Sequence, residues 1–254
     1  IHKRAKTLID KNKLALVIID EQHRFGVSQR AQLMAQGTNP HALSMTATPI
    51  PRTIALTAYA DLDISTIKQM PVGRMPVKTW VVPECKRENA YKWILNQIKE
   101  NRSQAFIICP LIDESEHESM KQIKAAVSEF DKLKSYFNKL NLGLMHGRMV
   151  GKEKTRILTD MREKRLDILV TTPVVEVGVD IPGATILVVE TAERFGLAQL
   201  HQLRGRVGRS DKQSYCLLFS QHQKSSAGLT RLKLMTNIHK GLELAQLDLK
   251  LRGP

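Results

Sequence analysis

The sequence predicts an α/β fold of mainly parallel sheets, laid out in two parts. Short, continuous aliphatic runs recur along the chain, as strands buried on both faces require. Longer stretches of mixed polar and apolar residues, of helical length, separate several of these runs. A break at 70–76, read Met-Pro-Val-Gly-Arg-Met-Pro, separates a strand-poor first piece from a second piece that could be a whole domain.

In chain order, the first strand is expected over 14–19, ending at Asp20, and the second over 42–45, leading into Thr46. Further strands are expected at 80–82, 105–109, 143–145, 168–170, 185–189 and 215–219. Helical stretches are expected at 87–100, 120–140 and 152–164. The parts are therefore 1–69, a linker at 70–77, a domain at 78–240 and a short tail at 241–254. The first part holds too few strands for a complete parallel sheet. With Ile1 in place of an initiator Met and the last residues, 249–254, stopping in mid-motif, the chain is expected to be a piece of a longer protein.

Composition narrows the class. With 254 residues, 42% of them hydrophobic and 25% charged, the chain can bury one large core or two ordinary ones. No run approaches the ~18 apolar residues that a membrane span needs, and no secretory signal is evident. The three cysteines are widely spaced and form no CxxC, which argues against a disulfide framework or a zinc site. Cys109 and Cys216 sit in apolar runs and are expected to be small buried thiols, in keeping with a reducing cytoplasm. The net charge of +14 favours a polyanionic partner, either nucleic acid or a membrane surface, with solubilising surface lysines as the plainer reading. Aromatic residues make up only 5%, so Trp80 and Trp93 are expected to pack rather than to stack on bases. The eight histidines show no metal-ligand spacing.

The chemistry lies in ordered blocks. Leu14-Ala15-Leu16-Val17-Ile18-Ile19-Asp20-Glu21 has the form of a Walker B strand, which carries a carboxylate to the carboxyl edge of a sheet where a nucleotide can bind. Asp20 would hold Mg²⁺ and Glu21 would orient or deprotonate the attacking water. Taken alone, the pair reads more simply as a strand ending in an acidic turn. Gly147-Arg148-Met149-Val150-Gly151-Lys152-Glu153 imitates a phosphate-binding loop, but it is one residue short of GxxxxGK[ST] and puts an acid where the Mg²⁺-binding hydroxyl belongs. It is read as a turn opening the 152–164 helix. No true Walker A sequence occurs in these residues.

The blocks that follow carry a resemblance. Asp20-Glu21-Gln22-His23-Arg24-Phe25-Gly26-Val27 resembles motif II of the bacterial RecG family of superfamily 2 DNA helicases. Met45-Thr46-Ala47-Thr48-Pro49-Ile50-Pro51-Arg52-Thr53 resembles its motif III, and 143–149 its motif IVa. Residues 168–182, from Ile168-Leu169-Val170-Thr171-Thr172 to Val177-Gly178-Val179-Asp180, resemble motif V. Ala198-Gln199-Leu200-His201-Gln202-Leu203-Arg204-Gly205-Arg206-Val207-Gly208-Arg209 resembles motif VI. The transcription-repair coupling factors, close relatives, usually have Glu where Gln22 stands, which argues modestly for RecG. Pro173 departs from the usual Thr and removes a backbone donor.

The resemblance implies two RecA-like lobes, the first truncated at its N-terminus, with ATP and Mg²⁺ as cofactors. It assigns the nucleotide to Asp20, Glu21, Gly178, Asp180, Gln202, Arg206 and Arg209, with Mg²⁺ on Asp20. It makes Arg206 and Arg209 arginine fingers. Lying three apart, they are expected to share one helical turn and face one cleft, with glycines 205 and 208 letting the backbone pass closely. A basic turn touching DNA phosphates is the plainer reading of the same pair. His23, Thr46 and Thr48 would couple the nucleotide site to the DNA site, and Arg52, Arg148, Thr171 and Thr172 would contact nucleic acid. The whole protein is then expected to remodel stalled forks and migrate Holliday junctions on duplex or branched DNA in bacterial cytoplasm. The chain alone is expected to be inactive, or to serve only as a binding module.

Overall fold

The computed structural model describes residues 14–21, 25–46, 63, 65–67, 69, 73, 75–110, 116–173, 181–221 and 227–252. The chain divides into two compact units, Ile1–Pro49 and Ile50–Pro254.

In the first unit, β1 (Leu16–Asp20) and β2 (His41–Met45) form a parallel pair, joined through α1 (Val27–Met34). Alternation along β1 buries Val17 and Ile19 and leaves Leu16 and Ile18 half exposed, whereas all five residues of β2 are exposed.

The second unit is a six-stranded parallel sheet. Its strands are β3 (Lys78–Pro83), β4 (Gln104–Ile108), β5 (Leu142–Met145), β6 (Ile168–Thr171), β7 (Ala184–Val189) and β8 (Tyr215–Ser220). Their order across the sheet is β3-β8-β7-β4-β6-β5. The crossover helices are α2 (Arg87–Asn101), α3 (Glu116–Tyr136), α4 (Gly151–Arg162) and α5 (Leu197–Arg204), followed by α6 (Ala227–Asn237) and α7 (Gly241–Arg252). No helix of the described residues is long and apolar enough to cross a membrane.

The continuous aliphatic runs explain the layering. β4, β6 and β7 are buried at every position, because helices cover both faces. One core holds Phe106, Leu169, Leu187 and Leu218 with Leu200 and Leu203 of α5. The other holds Ile107, Val170, Val188 and Phe219 with Ile94 of α2 and Leu133 of α3. Full burial of each such side chain stabilises by about 1.5–3 kcal/mol. Cys109 and Cys216 are buried as expected and Cys85 is exposed. Burial in these apolar layers pushes both buried thiols up to about 12, so they stay protonated.

Candidate functional site

The acidic end of β1 is built by the sheet itself. In the parallel register Asp20 lies beside Met45, which brings Asp20 and the adjacent Thr46 to the same carboxyl edge. The Asp20 Oδ1 accepts the Glu21 backbone N–H at 2.9 Å. Glu21 has φ 50°, a left-handed conformation that costs a side-chain-bearing residue about 1–2 kcal/mol. Strain of this kind gathers where a side chain must be aimed. Two adjacent carboxylates fit Mg²⁺, which is held by one or two carboxylates plus substrate phosphates rather than by an all-protein cage. Of the residues assigned to this region, His23, Thr48 and Arg52 lie outside the described residues.

At the carboxyl edge of the second sheet, β5 and β6 bring two expected blocks together. Met145 pairs with Thr171, and the Thr172 N–H donates to the Met145 carbonyl at 3.3 Å. His146 and Thr172 are therefore neighbours at one edge, with Arg148 exposed in the turn beyond. Thr171 is fully buried and its hydroxyl donates to the Thr172 carbonyl at 2.8 Å. Thr172 is 3% exposed, and its Oγ1 has no hydrogen-bond partner among the described residues, nor has the His146 Nδ1. Orphaned buried polar atoms are costly and mark a place where a further group completes the network. Neither threonine offers open surface to a strand of DNA in this arrangement. Gly178 and Asp180 lie outside the described residues.

The arginine pair lies at the opposite edge. α5 descends from the carboxyl edge, and the connection 205–214 delivers the chain to the start of β8. There Ser214 lies beside Lys78, at the start of β3. The expectation that Arg206 and Arg209 share a helical turn is corrected here. α5 ends at Arg204, Gly205 caps it, and Gly208 has φ 75°, which breaks the helical path between the two arginines. Arg206 is half-buried and Arg209 is exposed, with its Nε–H donating to the Gly205 carbonyl at 3.4 Å. Gln202 is half-buried on α5. The two glycines also differ: Gly208 meets a neighbouring segment, whereas a Cβ at Gly205 would meet only the carbonyls of its own turn, 202 and 201.

Arg204 received no role from the sequence, and the structure gives it one. It is 4% exposed and donates to the carbonyls of Met235 at 2.8 Å and Ile238 at 3.0 Å. These carbonyls form the C-terminal end of α6, where the helix dipole favours a cation. Arg231 of α6 donates in return to the carbonyls of Glu193 and Phe195, at 2.6 and 3.1 Å. The two guanidiniums lock α6 against the chain on either side of α5.

His201 completes this contact, its Nδ1 lying 3.0 Å from the Arg204 guanidinium. An arginine can only donate, so this ring nitrogen accepts and the imidazole is neutral. Burial, then the Arg204 charge and His239, lower its pKa to about 4. The unfolded chain takes up this proton near the ordinary value of 6.5, before the folded one does. Between those values the unfolded state binds more protons, so stability falls as pH drops from 6.5 to about 4. The slope is at most about 1.4 kcal/mol per pH unit. Urea midpoints at pH 7 and pH 5 are expected to differ less in a His201→Asn variant, which keeps an acceptor but cannot titrate. An equal difference in both proteins rules this out.

A second polar cluster was also invisible in the sequence. Glu190, 5% exposed just after β7, accepts from the Arg87 guanidinium at 2.7 Å and from the Tyr91 hydroxyl at 3.2 Å. Arg87 also lies 4.7 Å from the centre of the Phe219 ring. Burial raises the Glu190 carboxyl and Arg87 partly opposes it. The partners are 99 and 103 residues apart, so no local pattern announces them. Trp80 and Trp93 pack with Tyr215, with ring centres 4.9–5.5 Å apart, on the outer strand β3.

Residues 86–211 match the helicase conserved C-terminal domain. The chain is 50% identical over 254 residues to the ATP-dependent DNA helicase RecG of Synechocystis sp., covering 100% of this chain and 30% of that protein. It is 44% identical over 254 residues to that of Bacillus subtilis, covering 100% of this chain and 36% of that protein. The chain thus spans about a third of the length of the curated relatives it matches. Among solved structures it is similar to RecG bound to a three-way DNA junction, with TM-score 0.79, 41% identity, and 100% of this chain and 32% of that one covered. Saccharomyces cerevisiae Dbp5 bound to RNA and ADP BeF3 shares the fold alone, with TM-score 0.64 and 17% identity over 99% of this chain and 66% of that one. The parallel α/β unit is accordingly a RecA-like helicase lobe.

Proposed function

We propose, from a chain that carries the helicase conserved C-terminal domain and is RecG-like along its whole length, that the full-length protein is an ATP-driven DNA motor. It acts on branched DNA in repair and recombination, remodelling stalled forks and migrating Holliday junctions. The observation that carries this reading is the acidic pair at the carboxyl end of β1, in one chain with an arginine pair displayed beyond a buried helix. Asp20 would hold Mg²⁺, and Glu21 would orient and deprotonate the attacking water. The metal would neutralise charge developing on the phosphates. Arg206 and Arg209 would stabilise the transferring phosphoryl group.

The opposite ends of the second sheet support a division of labour. His146 and the exposed Arg148 stand at one edge, where Thr171 and Thr172 are buried, and the arginine pair at the other. Nucleic acid is assigned to the first and nucleotide to the second. The net charge of +14 suits a polyanionic track.

The test is ATP hydrolysis by the full-length protein with and without forked DNA, paired with conversion of a labelled junction. DNA-stimulated turnover and ATP-dependent conversion are expected, with DNA affinity falling steeply with salt. Turnover indifferent to DNA would sink the reading. The chain by itself, without a GxxxxGK[ST] loop, is expected to show no turnover.

A further inference from the structure

The segment leading into β3 is stitched to the loop that carries Arg209. The Gln213 side-chain amide donates to the Pro76 carbonyl at 2.9 Å and to the Ser214 carbonyl at 3.0 Å. The Lys78 N–H donates to the same Ser214 carbonyl at 3.0 Å, and Ser214 is fully buried. On the other side of the seam, Val77 fills the space beside Gly208. A Cβ there would lie 2.8 Å from the Val77 Cγ2, and φ 75° strains any side chain at this position. Gly208 immediately precedes Arg209 and follows the buried Val207.

The seam has a firm part and a releasable part. The Val77–Gly208 contact and the Lys78–Ser214 bond belong to the packed start of the sheet. The Gln213–Pro76 bond is exposed and uncharged, so water can replace it at little cost. In the sequence, the strand that ends in Asp20-Glu21 precedes this segment.

We propose that Gln213 is a positioning residue that couples the chain entering β3 to the arginine loop, so that tension or displacement in that chain is transmitted to Arg209. This rests on the reading of the protein as an ATP-driven motor. With the bond closed, the loop holds Arg209 in its working position. With it open, Arg209 keeps its charge but loses its register. Errors of about 1 Å in such placement cost on the order of a hundredfold in rate.

The experiment uses the full-length protein with Gln213→Ala and Gln213→Glu. The second variant can only accept, and it would face two carbonyl oxygens. The expected result is a fall in DNA-stimulated kcat of about tenfold or more, with KM for ATP and the thermal midpoint unchanged. In parallel, hydrogen exchange at the Lys78 amide is followed in wild type and in Gln213→Ala, and faster exchange is expected in the variant. Wild-type kcat in both variants overturns the inference. So does a kcat loss matched by a lower thermal midpoint, which makes Gln213 merely structural. If the wild-type protein shows no DNA-stimulated hydrolysis, the functional reading fails instead. The exchange arm then judges the seam alone, with unchanged Lys78 exchange overturning it.

Discussion

Alanine at Arg209 of the full-length protein is expected to lower ATP turnover by roughly 10³-fold or more, and alanine at Arg206 to do the same. Phosphoryl transfer spreads negative charge over the γ-phosphate oxygens, and a guanidinium answers it with a planar fork of donors. The buried α5 fixes the root of this pair through Leu200, Leu203 and Arg204. The turn at Gly205 and the left-handed Gly208 then set where the two side chains leave the surface. Arg206 and Arg209 thus emerge from a bent loop and not from one helical face, so each is tested separately. The measurement is kcat at saturating DNA, alongside equilibrium binding of a nucleotide analogue. A transition-state role predicts lost kcat with retained nucleotide binding. If the pair instead grips DNA phosphates, turnover at saturating DNA survives. Fork affinity then drops and the salt dependence becomes shallower by about one charge per arginine.

The parts of the fold that were legible in the sequence share a physical cause. Parallel strands buried on both faces must be continuously apolar, so runs such as Ala-Phe-Ile-Ile and Ile-Leu-Val announce β4 and β6. Helices α2, α3 and α4 are long and amphipathic, and they fall close to where expected. α5 was not separable from its motif, because only eight residues of Leu-Ala-Gln-Leu-His-Gln-Leu-Arg form it. Its end was misjudged for the same reason: three-residue spacing suggests a helical turn, whereas a glycine at positive φ intervenes. The acidic and arginine blocks stand out in the sequence by residue type and spacing, and their placement, Asp20 at the end of β1 and Arg206 and Arg209 just past α5, is what the fold adds. The Arg204 clamp on α6 and the Arg87–Glu190 pair were not, since each depends on partners more than 30 residues away. The Gln213 seam is of this second kind. A glutamine in a polar loop carries no signal until the fold brings Pro76 beside it.

Glu21→Gln in the full-length protein is expected to abolish turnover while leaving ATP binding intact. The substitution preserves shape and hydrogen-bonding capacity and removes only the ability to take a proton. General-base contributions of this kind are worth about 10²–10⁴ in rate. On the proposed assignment Asp20 would still hold Mg²⁺, so nucleotide affinity should survive. The backbone makes the comparison a clean one: Glu and Gln meet the same strain at φ 50°, so stability should barely change. Glu21→Gly provides the contrast, because it relieves that strain. It is expected to lose turnover as fully as Glu21→Gln while raising the thermal midpoint. A variant that is more stable and yet inactive would mean that the left-handed backbone at Glu21 is maintained to aim a carboxylate and not to hold the strand together. Unaltered turnover in Glu21→Gln would remove Glu21 from the chemistry and leave its conformation without a purpose in this site.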